Sequence, residues 1–335
     1  PSVNLNSDWS SHSFSIDANG EVGQFLSSED DDYEKYGFKA NTRIDATKAL
    51  TLNGSAGYKK GSEERGGDDV GTDAAAPVDN SNTTFNASMQ YKPNRIGVKI
   101  TGDYDKTDVD DNNTIAGATT NNDDRDRTDV KGEVRLGYDI KDEYEAFVKA
   151  SYKNIDYNDP LDDAGANRDS TGYNIQGGLS INLSGLVTAE LGAGWLNQEF
   201  DDATLTDVSG YATNANIKWE MTKITTLKLN ADRAVSETTS GGISSTLDTT
   251  FKAVLDHAFL RNVKARLEAT YKTSDYEGDP LGREDEKYTY AAGVRWKVNP
   301  YLWVNAKWTY DERDSNINTN DYDKHIGLAY LRIQY

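Results

Sequence analysis

Apolar and polar residues take turns along most of this chain with a period of two. From Tyr288 onward, Tyr288, Tyr290, Ala292, Val294, Trp296 and Val298 share one parity, while Lys287, Thr289, Gly293, Arg295 and Lys297 fill the other. The next stretch repeats the pattern with Leu302, Val304, Ala306, Trp308 and Tyr310 against Asn305, Lys307 and Thr309. Upstream, Val130, Val134, Leu136, Tyr138 and Ile140 alternate with Lys131, Glu133, Arg135 and Asp139, and Tyr144, Ala146, Val148, Ala150 and Tyr152 with Glu143, Glu145, Lys149 and Lys153. Successive side chains of a strand point to opposite faces, so each stretch predicts a strand with one apolar and one polar face. Each is about ten residues long, the length a tilted strand needs to cross a bilayer. Many apolar faces end in Tyr or Trp, as the interfacial girdles of a membrane barrel require.

The connections come in two alternating kinds. Short ones fall near Asp45–Ala49, Lys92–Arg95, Lys141–Glu143, Leu183–Gly185, Glu220–Thr225, Ala258–Asn262 and Asn299–Tyr301. Longer polar ones fall near Leu26–Asp32, Lys60–Asn82, Asp105–Arg127, Asp156–Ser170, Asp201–Ser209, Ser236–Ser244, Ser274–Glu286 and Asp311–Asp321. This predicts an all-β, transmembrane, antiparallel up-and-down β-barrel of about 16 strands, with short periplasmic turns and long external loops. Closure follows from physics, because lipid offers no partner to an unpaired backbone amide. Residues 13–335 are read as one barrel domain. Residues 1–12 are a lead-in, either periplasmic or an extra short strand.

Composition then narrows the class. The 335 residues are only 36% hydrophobic, with a mean hydropathy of -0.77, yet 10% are aromatic, too many for a disordered chain. No window approaches the roughly 20 apolar residues of a membrane-spanning helix. A net charge of -20, from 36 Lys and Arg against 56 Asp and Glu, opposes a nucleic-acid partner. The absence of Cys removes disulfides and thiolate chemistry and fits an exported bacterial protein. The chain opens at Pro1 without a charged-then-apolar leader, so a signal peptide is expected to be absent from it.

The end of the chain carries a further sign. Gly327, Ala329, Leu331, Ile333 and Tyr335 put small and apolar groups on one face and finish on an aromatic, resembling the last strand that outer-membrane assembly machinery recognises. A soluble repetitive sheet would also alternate, but it has no reason to keep both turn asymmetry and girdle residues through so many strands. Ala231–Asp232–Arg233, the hairpin Ala258–Asn262, Tyr271, Gly282–Asp285, Tyr288 and Asp311–Ser315 resemble the putative beta-barrel porin 2 family of Gram-negative bacteria, in order and spacing. The resemblance runs from about Ser13 to Tyr335. It implies a bacterial outer-membrane barrel, often accompanying exopolysaccharide export, with periplasmic export partners. Porin-like proteins also suggest a homo-oligomer.

With the Tyr/Trp/Val parity facing lipid, the other parity lines the lumen. The expected pore wall is Lys39, Arg43, Lys99, Lys131, Glu133, Arg135, Lys149, Glu190, Lys218, Lys228, Asp232, Lys264, Arg266, Glu268, Arg295 and Lys307. That wall has a basic excess, and the acid lies mainly in the loops. The expected function is a porin-like channel, an exit conduit for exopolysaccharide or a diffusion pore for polar and anionic solutes. The alternative is a non-conducting structural barrel whose acidic loops bind surface material or partner proteins. The third long loop, with Asp105, Asp108, Asp110, Asp111, Asp123, Asp124 and Asp126, is a candidate constriction if it folds inward; otherwise it is a solvated loop. Asp108, Asp110 and Asn112 are weak Ca²⁺ candidates that lack the remaining ligands of an EF-hand. No cofactor is expected beyond loosely held divalent cations, which could bridge the loops to lipopolysaccharide. His12, His257 and His325 belong to no nucleophile or metal spacing, so no enzyme is expected.

Overall fold

The computed structural model describes residues 1–24, 29–65, 70, 73–239 and 242–333. A five-residue strand, β1 (Ser2–Asn6), precedes sixteen long ones: β2 (His12–Gly23), β3 (Tyr33–Asp45), β4 (Leu50–Glu63), β5 (Val78–Tyr91), β6 (Ile96–Val109), β9 (Arg127–Lys141), β10 (Tyr144–Tyr157), β11 (Ser170–Leu183), β12 (Val187–Phe200), β13 (Val208–Thr222), β14 (Thr225–Glu237), β15 (Ser245–Leu260), β16 (Val263–Glu277), β17 (Glu284–Lys297), β18 (Leu302–Ser315) and β19 (Tyr322–Ile333). Two short strands, β7 (Asn112–Asn113) and β8 (Thr119–Thr120), pair within the third long loop. The described residues contain no α-helix. β1 is the extra short strand that the lead-in left open, and Tyr335 lies outside the described residues.

The other strands form one antiparallel meander in which each pairs with its chain neighbour, β6 joining β9 across the third loop. All seven expected short turns occur. At 183–186 the Leu186 amide donates to the Leu183 carbonyl at 2.9 Å, and Ser184 and Gly185 both have positive φ, 51° and 72°. A two-residue turn of this hand matches the twist of the flanking strands. The strands overrun the expected loop boundaries: β4 continues to Glu63 and β6 to Val109. Beyond the lipid both faces meet water, so pairing persists where the apolar alternation has ended.

Parity separates two surfaces. In β9, Val130, Val134, Leu136, Tyr138 and Ile140 are exposed on the outer face, whereas Lys131, Glu133, Arg135 and Asp139 turn inward. About ten residues of apolar face, tilted, cover the roughly 25 Å of hydrocarbon an outer-membrane barrel spans. Above it, aromatic side chains meet across strands: Tyr36 with Tyr58, Phe85 with Tyr104, Tyr271 with both Phe251 and Tyr288, and Tyr310 with both Tyr290 and His325. Still higher, Asp275, Glu286 and Glu312 occupy the same outer parity, which places this band at the lipid boundary.

The inner face is thinned by glycine where large groups lie flat. A Cβ on Gly194 would fall 1.8 Å from the Ile175 carbonyl oxygen, and one on Gly178 would fall 2.1 Å from that of Leu191. Phe147 uses the space, its ring 2.6 Å from the Cβ position of Gly178. Gly194→Ala is therefore expected to abolish the compact barrel, a loss read as disappearance of the heat-modifiable band on electrophoresis. A folded Gly194→Ala barrel would contradict this close packing.

Candidate functional site

The strand register puts all sixteen expected wall residues on one face. Lys39 opposes Asp17, Lys99 opposes Arg135, Glu190 opposes Asn216, and Lys307 opposes Gly293, itself in line with Arg266. Neutral hydrogen-bonding groups lie between the charges. Asn41 bonds Ser15 at 3.2 Å, Asn86 bonds Asp103 at 2.6 Å and Asn230 bonds Asn216 at 2.5 Å. The wall is a track of amides and hydroxyls carrying charge at intervals.

Along the register those charges stand in like-signed rows, most of whose cations are answered by carboxylates off the row. Lys99, Arg135 and Lys149 lie directly opposite one another on β6, β9 and β10. So do Lys131 and Lys153, Lys218 and Lys228, Lys264 and Arg295, and the trio Lys272, Lys287 and Arg313. Like charges directly across a strand pair are destabilising. Acidic counterparts are fewer: Asp139 opposes Glu145 and Asp105 opposes Asp129. Diagonal ion pairs offset part of the repulsion. Glu145 takes Arg135 at 2.5 Å and Lys92 at 2.9 Å, while Lys252 meets Glu268 at 2.5 Å. Among the described residues, Lys39, Lys59, Lys99, Lys264 and Lys307 have no carboxylate within ion-pair distance.

The periplasmic half of this wall carries two adjoining cavities of about 480 and 330 Å³, which share Lys92, Glu145, Ser180 and Glu190. Lys92, from a short turn, reaches across β6 to Asp139 at 2.7 Å because Gly97 leaves its path clear. Arg135 lies over the Phe147 ring at 4.3 Å. Neither Lys92 nor Phe147 stands out in the sequence, one being in a turn and the other an apolar residue on the polar parity.

At the external mouth the sheet departs from a plain cylinder. β13 pairs with β14 no higher than Thr213 with Arg233, although both strands continue. Above that point the β14–β15 end leans inward. Val235 and Leu247, on its outer parity, pack against the inner-wall residues Leu196, Phe200, Val208 and Ala212. Glu237 accepts bonds from Tyr157 at 3.2 Å and Gln198 at 2.9 Å, both on the inner wall. Arg168, from the 158–169 connection, clamps the tip by donating to the carbonyls of Thr238 at 2.5 Å and Ile243 at 3.0 Å. Its Nε also meets Asp162 at 2.6 Å, both side chains being 2% exposed.

The third long loop forms part of the rim. Asp105 is on the wall, taking Asn82 at 2.5 Å, and Asp108 is outside, paired with Lys106 at 2.7 Å. Asp111 accepts from the Asn122 amide at 2.9 Å and Asp126 from that of Val109 at 2.7 Å. Asp110 contributes its carbonyl to Asn122, Asn112 donates to the Ala76 carbonyl, and Asp123 is exposed. Arg125 leans in to Glu63 at 2.8 Å, and Val109 joins Val70, Ala74 and Val78 in an apolar cluster. Two of these carboxylates, Asp111 and Asp126, hold backbone amides of the loop, and Asp108, Asp110 and Asn112 point to different partners. The segment laid against the inner wall is the β14–β15 end.

Asp124 links this rim to the clamp. Burial, then the charges of Asp163 and Asp162, raise its carboxyl to about 6. A carboxyl raised on folding is favoured in its neutral form, so its packing is strongest below about pH 4 and weakens as pH rises through 6. Asp124→Asn should remove that dependence. Hydrogen-exchange protection of residues 121–126, taken relative to the base-catalysed intrinsic rate at each pH, is expected to fall between pH 4 and 7 in the native protein and stay flat in the variant.

A family model described as "Putative beta-barrel porin 2" matches residues 1–335. The chain belongs to this porin family. No curated protein sequence matches this family member. Among solved structures it is similar to the ferripyoverdine receptor of the outer membrane of Pseudomonas aeruginosa, at 9% identity and a TM-score of 0.52, covering 100% of the chain and 57% of the receptor. It is also similar to the ferric citrate transporter FecA, at 11% identity and a TM-score of 0.50, covering 98% of the chain and 62% of FecA. At these identities the likeness concerns the fold: the porin-family chain spans about three fifths of the length of these outer-membrane barrels. Family and neighbours together point to a bacterial outer-membrane location. His257 lies beside Thr225 Oγ1 at 2.8 Å and packs on Phe259, while His325 joins the aromatic band.

Proposed function

We propose that this porin-family barrel is an aqueous outer-membrane conduit preferring anionic, hydroxyl-rich solutes, exopolysaccharide chains among them. The observation that carries this reading is the set of inward basic rows, above all Lys99–Arg135–Lys149. Such rows cost stability, and attraction of anions is a function that justifies the cost. Sixteen long strands match the barrel size that keeps a water-filled channel. The Asn and Ser track between the rows suits solutes that exchange hydrogen bonds with water and wall alike. Planar-bilayer recording under a salt gradient tests the reading through the sign of the reversal potential, which should indicate anion preference. The covered external mouth favours a second reading, a closed barrel anchoring surface material. Absence of any conductance, with the β14–β15 end in place or released, would favour that one.

A further inference from the structure

The short-turn end of β16–β19 gathers basic groups on its inner face. Lys297 ends β17 and Trp303 is the second residue of β18, and the two oppose each other across the 298–301 turn. Arg332 of β19 opposes Trp303 from the other side. One inward position higher, Arg295 of β17 lies opposite Lys264 of β16. We infer that this patch is a binding site for a free, compact, doubly charged oxyanion such as phosphate.

Two of the cations converge on one ring. Lys297 Nζ lies 5.1 Å from the centroid of Trp303, and the Arg295 guanidinium lies 5.9 Å from it. Directly opposed side chains stand about 5 Å apart at Cβ, which brings the long side chains of Lys264 and Arg332 within reach of the same place. Among the described residues, no carboxylate lies within ion-pair distance of any of these four cations. The inner carboxylates above them are engaged elsewhere. Glu268 takes Lys252 at 2.5 Å and Arg266 at 3.8 Å, and Asp256 takes Arg266 at 3.9 Å and Lys228 at 4.0 Å. The patch differs in this from the row on β6, β9 and β10, where Arg135 and Lys149 meet Glu145 and Glu190.

A second observation is independent of charge. Asn305, only 5% exposed, stands between Arg295 and Tyr330 in the register. Its Oδ1 accepts from Arg295 Nε at 3.1 Å, while its Nδ2 has no acceptor. Trp303 Nε1 is likewise buried without one. Buried N–H groups are almost always paired, because an unpaired one forfeits its bonds to water. An oxyanion seated among the flexible ends of Lys297, Arg295 and Arg332 supplies oxygens to these donors as well.

The lining selects the class of anion. It presents two guanidinium forks, two ammonium groups and two further N–H donors, and Asn305 Oδ1 is already taken by Arg295. A hydroxyl-rich acid would bring donors of its own to a surface of donors, and a monocarboxylate would leave most of the cations unanswered. A tetrahedral dianion meets several of them through separate oxygens. Parity excludes a lipid headgroup, since Trp296 and Leu331, beside these residues on the same strands, are exposed on the opposite, lipid face. A solute reaches the patch from the short-turn end whatever the state of the external mouth, so the inference does not rest on the conduit reading.

Calorimetry in detergent at low ionic strength and pH 8, with inorganic phosphate as the probe and acetate as the singly charged control, tests the assignment. Saturable phosphate binding is expected, weakened about tenfold by Arg332→Gln, which corresponds to about 1.4 kcal/mol. Acetate should bind more weakly than phosphate. Lys297→Gln serves as a second variant, each barrel being checked for heat-modifiable mobility. The inference is overturned if native protein shows no saturable phosphate binding, if folded Arg332→Gln and Lys297→Gln bind it unchanged, or if acetate binds as tightly. A barrel that binds phosphate yet passes no current would sink the conduit reading and leave this site standing, and anion-selective current without phosphate binding would do the reverse.

Discussion

Replacing Arg168 with Ala should open the external mouth and raise single-channel conductance. Arg168 is the buried link between the 158–169 connection and the β14–β15 tip, holding Asp162 on one side and carbonyls of the tip on the other. Without it, Asp162 becomes a buried charge lacking its cation, and those carbonyls lose a donor. Breaking a buried pair from one side costs roughly 3–5 kcal/mol. Asp162 keeps the amides of Ala164 and Ala166, at 3.0 and 2.8 Å, so its own turn should survive while the tip departs. Arg168→Lys should be intermediate, because a single ammonium cannot serve the carboxylate and several carbonyls with the geometry of a guanidinium. Conductance is compared among the three proteins, along with protease cleavage near residues 238–244. Unchanged current and unchanged cleavage in folded Arg168→Ala would show that the tip does not control the mouth.

A triple variant, Lys99→Gln, Arg135→Gln and Lys149→Gln, should reverse ion preference. The three cations oppose one another on the wall, with Glu145 and Glu190 as their acidic neighbours. Neutralising the row leaves those carboxylates in command. A unit charge about 4 Å from a passing ion is worth about 1 kcal/mol in water, so three together alter anion preference by on the order of a hundredfold. The reversal potential should change sign at low salt and the difference should shrink as salt is raised. A reversal potential indifferent to the triple change would remove the basic rows from the account of selectivity.

Much of this molecule could be read from side-chain parity. The wall residues from Lys39 to Lys307 fall on the inward face because the rule that puts Leu136 in lipid puts Arg135 in water. Strand ends were less visible: Glu63 and Val109 lie where both faces are wet, so the pattern has no apolar side to report. The mouth was hidden for another reason. Leu196, Phe200 and Val208 are apolar on the polar parity, an exception that acquires meaning only when Leu247 is brought back on them from a distant hairpin. An apolar residue in a row of inward polar ones marks an internal contact, but it does not name the partner. Carboxylate number was a poor guide as well. The third loop's Asp111 and Asp126 serve its own backbone, whereas the segment on the inner wall is fixed by Glu237, the Arg168 clamp and its aliphatic contacts.

β1 bears on how such a barrel can be taken apart. It lies along β2 from Ser15 to Asn19, on the edge opposite β3. Counted through the alternating meander, β1 and β19 run in the same direction. Any ladder joining them would be parallel, with slanted and slightly weaker bonds than every other junction in the sheet. Its length would be limited to the five residues of β1, against 12 in β19. If the barrel closes through such a ladder, force or detergent would find its weakest line there, and sideways unzipping would start between β1 and β19.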